Sequence, residues 1–187
     1  MLIKNSHLVL DACCVLNLCA SEHFISILKT IPAQVVITEV VRQKELITLQ
    51  RLDTKKNERI IQFEQAIFQK ILLVVDFESE KEQETFINYA FMMGDDGESA
   101  TGAIAFHRDW AIATDDKRAI SFFQKEVPLL PIVSTLEIIK YWSENLNLSQ
   151  EQLRVVLHEI QVKARYRPGK NHLLLAWWES IMESPSY

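Results

Sequence analysis

A chain of 187 residues in which 48% are hydrophobic is long enough to bury about 70% of its unfolded surface as one domain, with or without an appendage. Four glycines and five prolines leave little room for linkers or low-complexity tails, and three cysteines crowded at Cys13, Cys14 and Cys19 argue against a disulfide framework and for a reducing cytoplasm, and lack a second ligand pair for zinc. The net charge of −5 argues against a uniformly basic nucleic-acid binder but leaves room for a local basic patch.

Taken in chain order, Met1 to Ser6 carries no apolar stretch of signal-peptide length, and nothing later is long enough to span a membrane. The expected location is therefore the cytoplasm, with no membrane partner. The first strand-length run, His7–Leu10, stops at Asp11 just where a helix begins; a plain helix cap is the alternative use of that carboxylate. Asn17 lies one or two turns into the helix, where it either steadies the Asp11 loop or faces solvent. A second run, Gln34–Ile37, ends at Thr38, and Glu39 to Leu49 reads as a helix, so Glu39, Glu45 or both can return toward the strand end. Ile60, Ile61, Glu64, Ile67, Phe68 and Ile71 keep helical spacing, and Ile71–Val75 reads as a third strand.

Gly94-Asp95-Asp96-Gly97-Glu98 then opens a helix running through Ile104 and Phe106. Asp95 or Asp96 fits as its cap, Glu98 lies in the first turn, and the flanking glycines allow a sharp turn. Three acids so close together exceed what capping requires. The run Trp110–Ala113 ends at Thr114, two adjacent carboxylates follow (Asp115 and Asp116), and Lys117 to Gln124 reads as a helix. Leu130–Val133 is the last strand candidate. Beyond it the pattern is helical: Ser134 with Glu137, and Ser149 with Gln152, have capping-box spacing. Leu153, Val156, Leu157 and Ile160 form one stripe, and Leu174, Trp177, Trp178 and Ile181 another.

Alternating strands and helices predict a three-layer α/β/α domain with a parallel sheet of four or five strands over residues 1–135. Residues 136–187 are expected as a helical appendage packed on it within the same structural unit. Leu8–Leu10 and Trp110–Ala113 should be neighbouring central strands. Carboxylates gathered at the carboxyl edge of such a sheet repel one another unless a cation sits among them, which points to a hard divalent metal and phosphate chemistry. The five histidines show no ligand spacing, and no Ser-His-Asp order, P-loop or dinucleotide glycine pattern is visible. Two cationic clusters, Lys163, Arg165, Arg167, Lys170 and Arg51, Lys55, Lys56, Arg59, are either phosphate contacts or solvated surface.

These residues resemble the PIN domain family of metal-dependent nucleases, which includes the VapC-type toxins. Asp11-Ala12-Cys13-Cys14-Val15-Leu16-Asn17 is similar to the family's first strand-to-helix motif, Gly97-Glu98-Ser99-Ala100-Thr101-Gly102 to the helix of one branch, and Asp115-Asp116-Lys117-Arg118 to its paired aspartates. The likeness covers roughly residues 7–135. It implies an acidic catalytic set of Asp11, Glu45, Glu98 and Asp116, with Asp11, Glu98, Asp115 and Asp116 as ligands of Mg²⁺ or Mn²⁺. The implied activity is an endoribonuclease acting on RNA in single-stranded or loop regions, as the toxin of a toxin–antitoxin pair. An antitoxin protein and a homodimer complete the expected partners. Cys13 stands where the family carries Ser, Thr or Asn, and the spacing from Thr38 to Glu45 is slightly long. The competing expectation is a PIN-like module that binds nucleic acid or protein without turnover.

Overall fold

The computed structural model describes residues 4–44 and 56–183. Five strands form one sheet: β1 His7–Leu10, β2 Gln34–Thr38, β3 Leu72–Val75, β4 Ala111–Ala113 and β5 Ile132–Val133. Their order is β3-β2-β1-β4-β5 and every pairing is parallel, with Leu8 opposite Val35 on one side and Ala111 on the other. The expected central pair is thus adjacent. Several strands are shorter than their apolar runs, for local reasons. Lys70 turns at φ +56° just before Ile71, and Trp110 leaves the ladder to stack on His7 with ring centroids 4.2 Å apart. Pro131 has no N–H to offer a neighbour, so β5 begins after it and Pro131 contributes only its carbonyl, to Ile112.

Strand periodicity sorts the side chains into two layers. Val9, Val36 and Ile112 face one side, where they meet Tyr89 and Met93 of α4 (Glu80–Met93), Ala103 and Ala105 of α5 (Asp96–Arg108), and Ala119 and Phe123 of α6 (Lys117–Glu126). Leu8, Leu10, Val35, Ile37, Ala111 and Ala113 face the other. That layer contains α1 (Ala12–Ala20), α2 (Phe24–Thr30) and α3 (Lys56–Phe68), together with α7 (Thr135–Asn145), α8 (Gln150–Lys163) and α9 (Leu175–Met182). The result is a three-layer α/β/α fold. Both expected capping boxes are present, Ser134 with Glu137 and Ser149 with Gln152. The C-terminal helices share the main core: Leu153, Val156, Leu157, Ile160, Trp178 and Ile181 join the cluster built on Leu8 and Leu10.

Among the described residues no single helix is long and apolar enough to cross a membrane. Of the two glycines expected to bend the chain before α5, only Gly94 does so, closing α4 at φ +73°. Gly97 lies inside α5, where a Cβ would meet Asp95 Oδ1 at 3.3 Å and Val41 at 3.5 Å; its small size serves close packing. The expected helix after β2 is seen over residues 39–44, and Glu45 lies outside the described residues.

Candidate functional site

The strand order reverses between β1 and β4, the switch point at whose carboxyl edge an open parallel sheet places its ligands. Asp11 is delivered to that edge by β1. Its backbone N–H donates to the Ala113 carbonyl at 3.0 Å, extending the ladder one residue past the strands. The side chain does two jobs. Oδ1 accepts from the Ala12 N–H at 2.7 Å, capping α1, while Oδ2 accepts from Thr114 Oγ1 at 2.9 Å and from the Cys13 thiol at 3.4 Å. The cap and the site function are therefore compatible in one residue. Burial raises the Asp11 pKa; the donors from Thr114, Ala12 and Cys13 oppose this, and the charge of Asp95 adds to it.

Asp116 follows β4 and caps α6, its Oδ1 accepting from the N–H groups of Arg118 and Ala119 at 2.7 and 2.9 Å. Oδ2 makes no hydrogen bond among the described residues. Asp95 caps α5 by accepting from the Glu98 N–H at 3.1 Å and pairs with Lys44 at 3.3 Å. Burial opposes its ionisation, but the Glu98 and Gly97 N–H groups and the Lys44 ammonium outweigh burial and lower its pKa. Asp96, one residue on, is exposed.

Glu98 is the electrostatic centre of this group. Burial, then the charges of Asp11, Asp116 and Asp95 in that order, push its carboxyl up to about 7 against a partial offset from Arg118. A first-turn position alone would act the other way, since a helix N-terminus favours an anion by about 0.3–1 kcal/mol. Crowding and burial win. The Glu98 carboxylate accepts no hydrogen bond among the described residues, so its oxygens, like Asp116 Oδ2, are open to a ligand. The ligand oxygens of Asp11, Glu98 and Asp116 do not all come within 4.8 Å of one another in these rotamers.

Asp115 points elsewhere. Its Oδ1 accepts from the Thr135 N–H at 3.2 Å and the Tyr166 hydroxyl at 3.2 Å; its Oδ2 accepts from Asn17 Nδ2 at 3.1 Å, from Thr135 Oγ1 and from the Cys14 thiol at 3.6 Å. Asn17 is buried and belongs to this network, donating also to Thr135 Oγ1 at 3.1 Å; it neither steadies Asp11 nor faces solvent. Among the described residues, Cys13, Cys14 and Asp115 form a group able to hold a metal ion, with one ligand atom from each within 4.8 Å of the others.

Of the two glutamates proposed for the second acid, Glu39 pairs with Arg42 at 3.5 Å and accepts from Gln43 at 3.3 Å along its own helix. The arginine–lysine cluster at 51–59 lies outside the residues whose side chains are described. The other cluster divides: Lys163 pairs with Glu22 at 2.5 Å and with Glu159, whereas Arg165, Arg167 and Lys170 line a cleft of about 1060 Å³ that reaches Cys13, Asp115 and Asp116. Lys117 lines it too, lying so close to Gly169 that a Cβ there would meet Lys117 Cε at 3.1 Å. None of these four cations makes an ion pair among the described residues.

The sequence alone assigns no role to Thr135 or Tyr166, and to Thr114 none beyond its place in the string Ala113-Thr114-Asp115-Asp116. Thr114 sits beside the paired aspartates and is a local signal. Tyr166 lies 51 residues from its partner and is held by an edge-to-face contact with the buried Trp178 of α9, ring centroids 6.1 Å apart; no local pattern announces it. Scans against protein-family models and searches of curated proteins and of solved structures found no match.

Proposed function

We propose that this protein is a Mg²⁺- or Mn²⁺-dependent endoribonuclease of PIN type, acting on single-stranded or looped RNA. The observation that carries the reading is the gathering of Asp11, Glu98 and Asp116 at the carboxyl edge of the sheet, where burial, and then the charges of Asp11, Asp116 and Asp95, push the Glu98 carboxyl up to about 7. An oxygen-only donor set at a sheet switch point, with open lone pairs on Glu98 and Asp116, fits a hard divalent cation. Asp11, Glu98 and Asp116 would hold it, and Glu45 is the further acid the family resemblance implies. When bound, such an ion supplies an activated water and charge compensation at the phosphate.

The chain's own groups do the rest. Thr114 and the Cys13 thiol fix the Asp11 rotamer from two sides, the role the usual family hydroxyl would take at position 13. Asp116 is locked by the first turn of α6 through one oxygen while the other stays free. Lys117, Arg165, Arg167 and Lys170 give the adjoining cleft the local positive charge a polyanion needs on an acidic protein. Duplex RNA hides its base edges, so a cleft of this kind takes unpaired nucleotides. An antitoxin-type inhibitor and a homodimer belong to the same reading.

The test is cleavage of a mixed single-stranded RNA pool in Mn²⁺, with chelator and Asp11→Asn as controls. Wild-type cleavage lost in both controls supports the reading. RNA that is bound but never cut in Mg²⁺ or Mn²⁺ would replace it with the non-catalytic PIN-like module.

A further inference from the structure

We propose that Cys13, Cys14 and Asp115 form a second cation site, adjoining the oxygen-only cluster at Cys13, that takes a thiophilic divalent ion of the zinc class. This inference does not depend on the nuclease reading. The three ligand atoms lie within 4.8 Å of one another. A tetrahedral ion about 2.3 Å from a sulfur and about 2.0–2.1 Å from an oxygen sets those atoms about 3.5 Å apart; Cys14 Sγ and Asp115 Oδ2 are 3.6 Å apart. Two sulfurs and one carboxylate select against Mg²⁺, which prefers oxygen. The two sites thus differ in the chemistry of the ion each accepts.

The surroundings are those of a ligand set already held in place. Asp115 is oriented by Asn17, by the Thr135 N–H and by the Tyr166 hydroxyl, as outer partners orient metal-binding carboxylates. Cys13 and Cys14 lie in the first turn of α1, which brings both sulfurs to the Asp115 carboxylate at the strand end; burial raises the pKa of the Cys14 thiol well above its ordinary value, so the ion itself must draw off that proton. Cys13 and Asp115 line the cleft, so an ion and a completing water reach them from solvent, while Cys14 is fully buried behind them. On ligation each thiol releases its proton to solvent, and Asp11 gives up the Cys13 donor while keeping those of Thr114 and Ala12. Two thiolates and one carboxylate carry −3 against the ion's +2, and the donors on Asp115 together with the α1 N-terminus offset the remainder.

The experiment is a Co²⁺ titration of the full, reduced chain, following the near-ultraviolet sulfur-to-cobalt charge-transfer absorption. The expected result is saturation at one ion per chain, displacement by Zn²⁺ and no displacement by excess Mg²⁺. Cys13→Ser, at the partly exposed position, should abolish the band, as should Cys14→Ser; Cys19→Ser should keep it. Tyr166→Phe, which retains every ligand, should weaken Co²⁺ about tenfold. A folded wild-type protein without the band, a band that survives Cys13→Ser, or one that is lost with Cys19→Ser would overturn the proposal. None of these outcomes involves RNA, so failure here leaves the nuclease reading to its own test.

Discussion

Replacing Glu98 by Gln removes one charge from the crowded site and keeps the side chain's size. With a folded pKa of about 7 and an ordinary value near 4.5, the folded protein binds more protons than the unfolded chain between those two values. Stability therefore falls as pH rises from about 4.5 to about 7, and the loss is complete above that window. The shift alone corresponds to about 3 kcal/mol at 1.36 kcal/mol per pH unit. Glu98 is partly exposed, and screening reduces that to about 1–2 kcal/mol. Glu98→Gln should thus be more stable than wild type by that amount at pH 8 in chelator, a melting shift of about 2–8 °C for a chain of this length. At pH 4.5 the two proteins should melt together. Added Mg²⁺ should raise the melting temperature of wild type at pH 8 and raise that of the variant less, because the cation relieves the same repulsion. Calorimetry at the two pH values, with and without Mg²⁺, reads all of this. A variant that melts below wild type at pH 8 in chelator would show that the Glu98 charge stabilises the α5 N-terminus and is not held there against repulsion.

Asp115 and Asp116 should separate in a urea denaturation comparison: Asp115→Ala leaves Asn17, Thr135 and Tyr166 donors without their acceptor and should cost about 2–4 kcal/mol, whereas Asp116→Ala loses a helix cap worth about 1 kcal/mol. Reversing two cleft cations, Arg165→Glu with Arg167→Glu, should weaken single-stranded RNA binding and flatten its dependence on log salt by about 0.7 per lost phosphate contact; an unchanged slope would remove the cleft from the RNA path. Gly102→Ala places a Cβ 2.2 Å from Phe123 Cε1, in the packed layer between α5 and α6, and should destabilise the fold by about 1–3 kcal/mol in thermal melts.

The fold was legible in the sequence because each strand candidate carries an apolar run that stops at a polar punctuator. Leu8-Val9-Leu10 before Asp11, and Ala111-Ile112-Ala113 before Thr114, are buried on both faces as strands of a covered parallel sheet should be. Strand ends were less legible, since Trp110, Ile71 and Leu130 are apolar but sit in turns that a backbone conformation or a proline decides. The acids at the edge could be read because strand-to-helix junctions are local. The network on Asp115 could not: Asn17 meets Asp115 and Thr135 across 98 and 118 residues, and Tyr166 arrives only because α8 and α9 fold back onto the main core. A single Asn on an amphipathic helix looks like a surface residue until its partners are known.

Whether Asp11, Glu98 and Asp116 share one hard cation is decided by the manganese anomalous difference map of a crystal of the protein soaked in Mn²⁺. A shared cation gives a peak bounded by oxygens of those three side chains at roughly the 2.0–2.2 Å of an oxygen-ligated divalent ion, absent in Asp11→Asn crystals treated alike. No peak among the three, or a manganese peak confined to Cys13, Cys14 and Asp115, would contradict it.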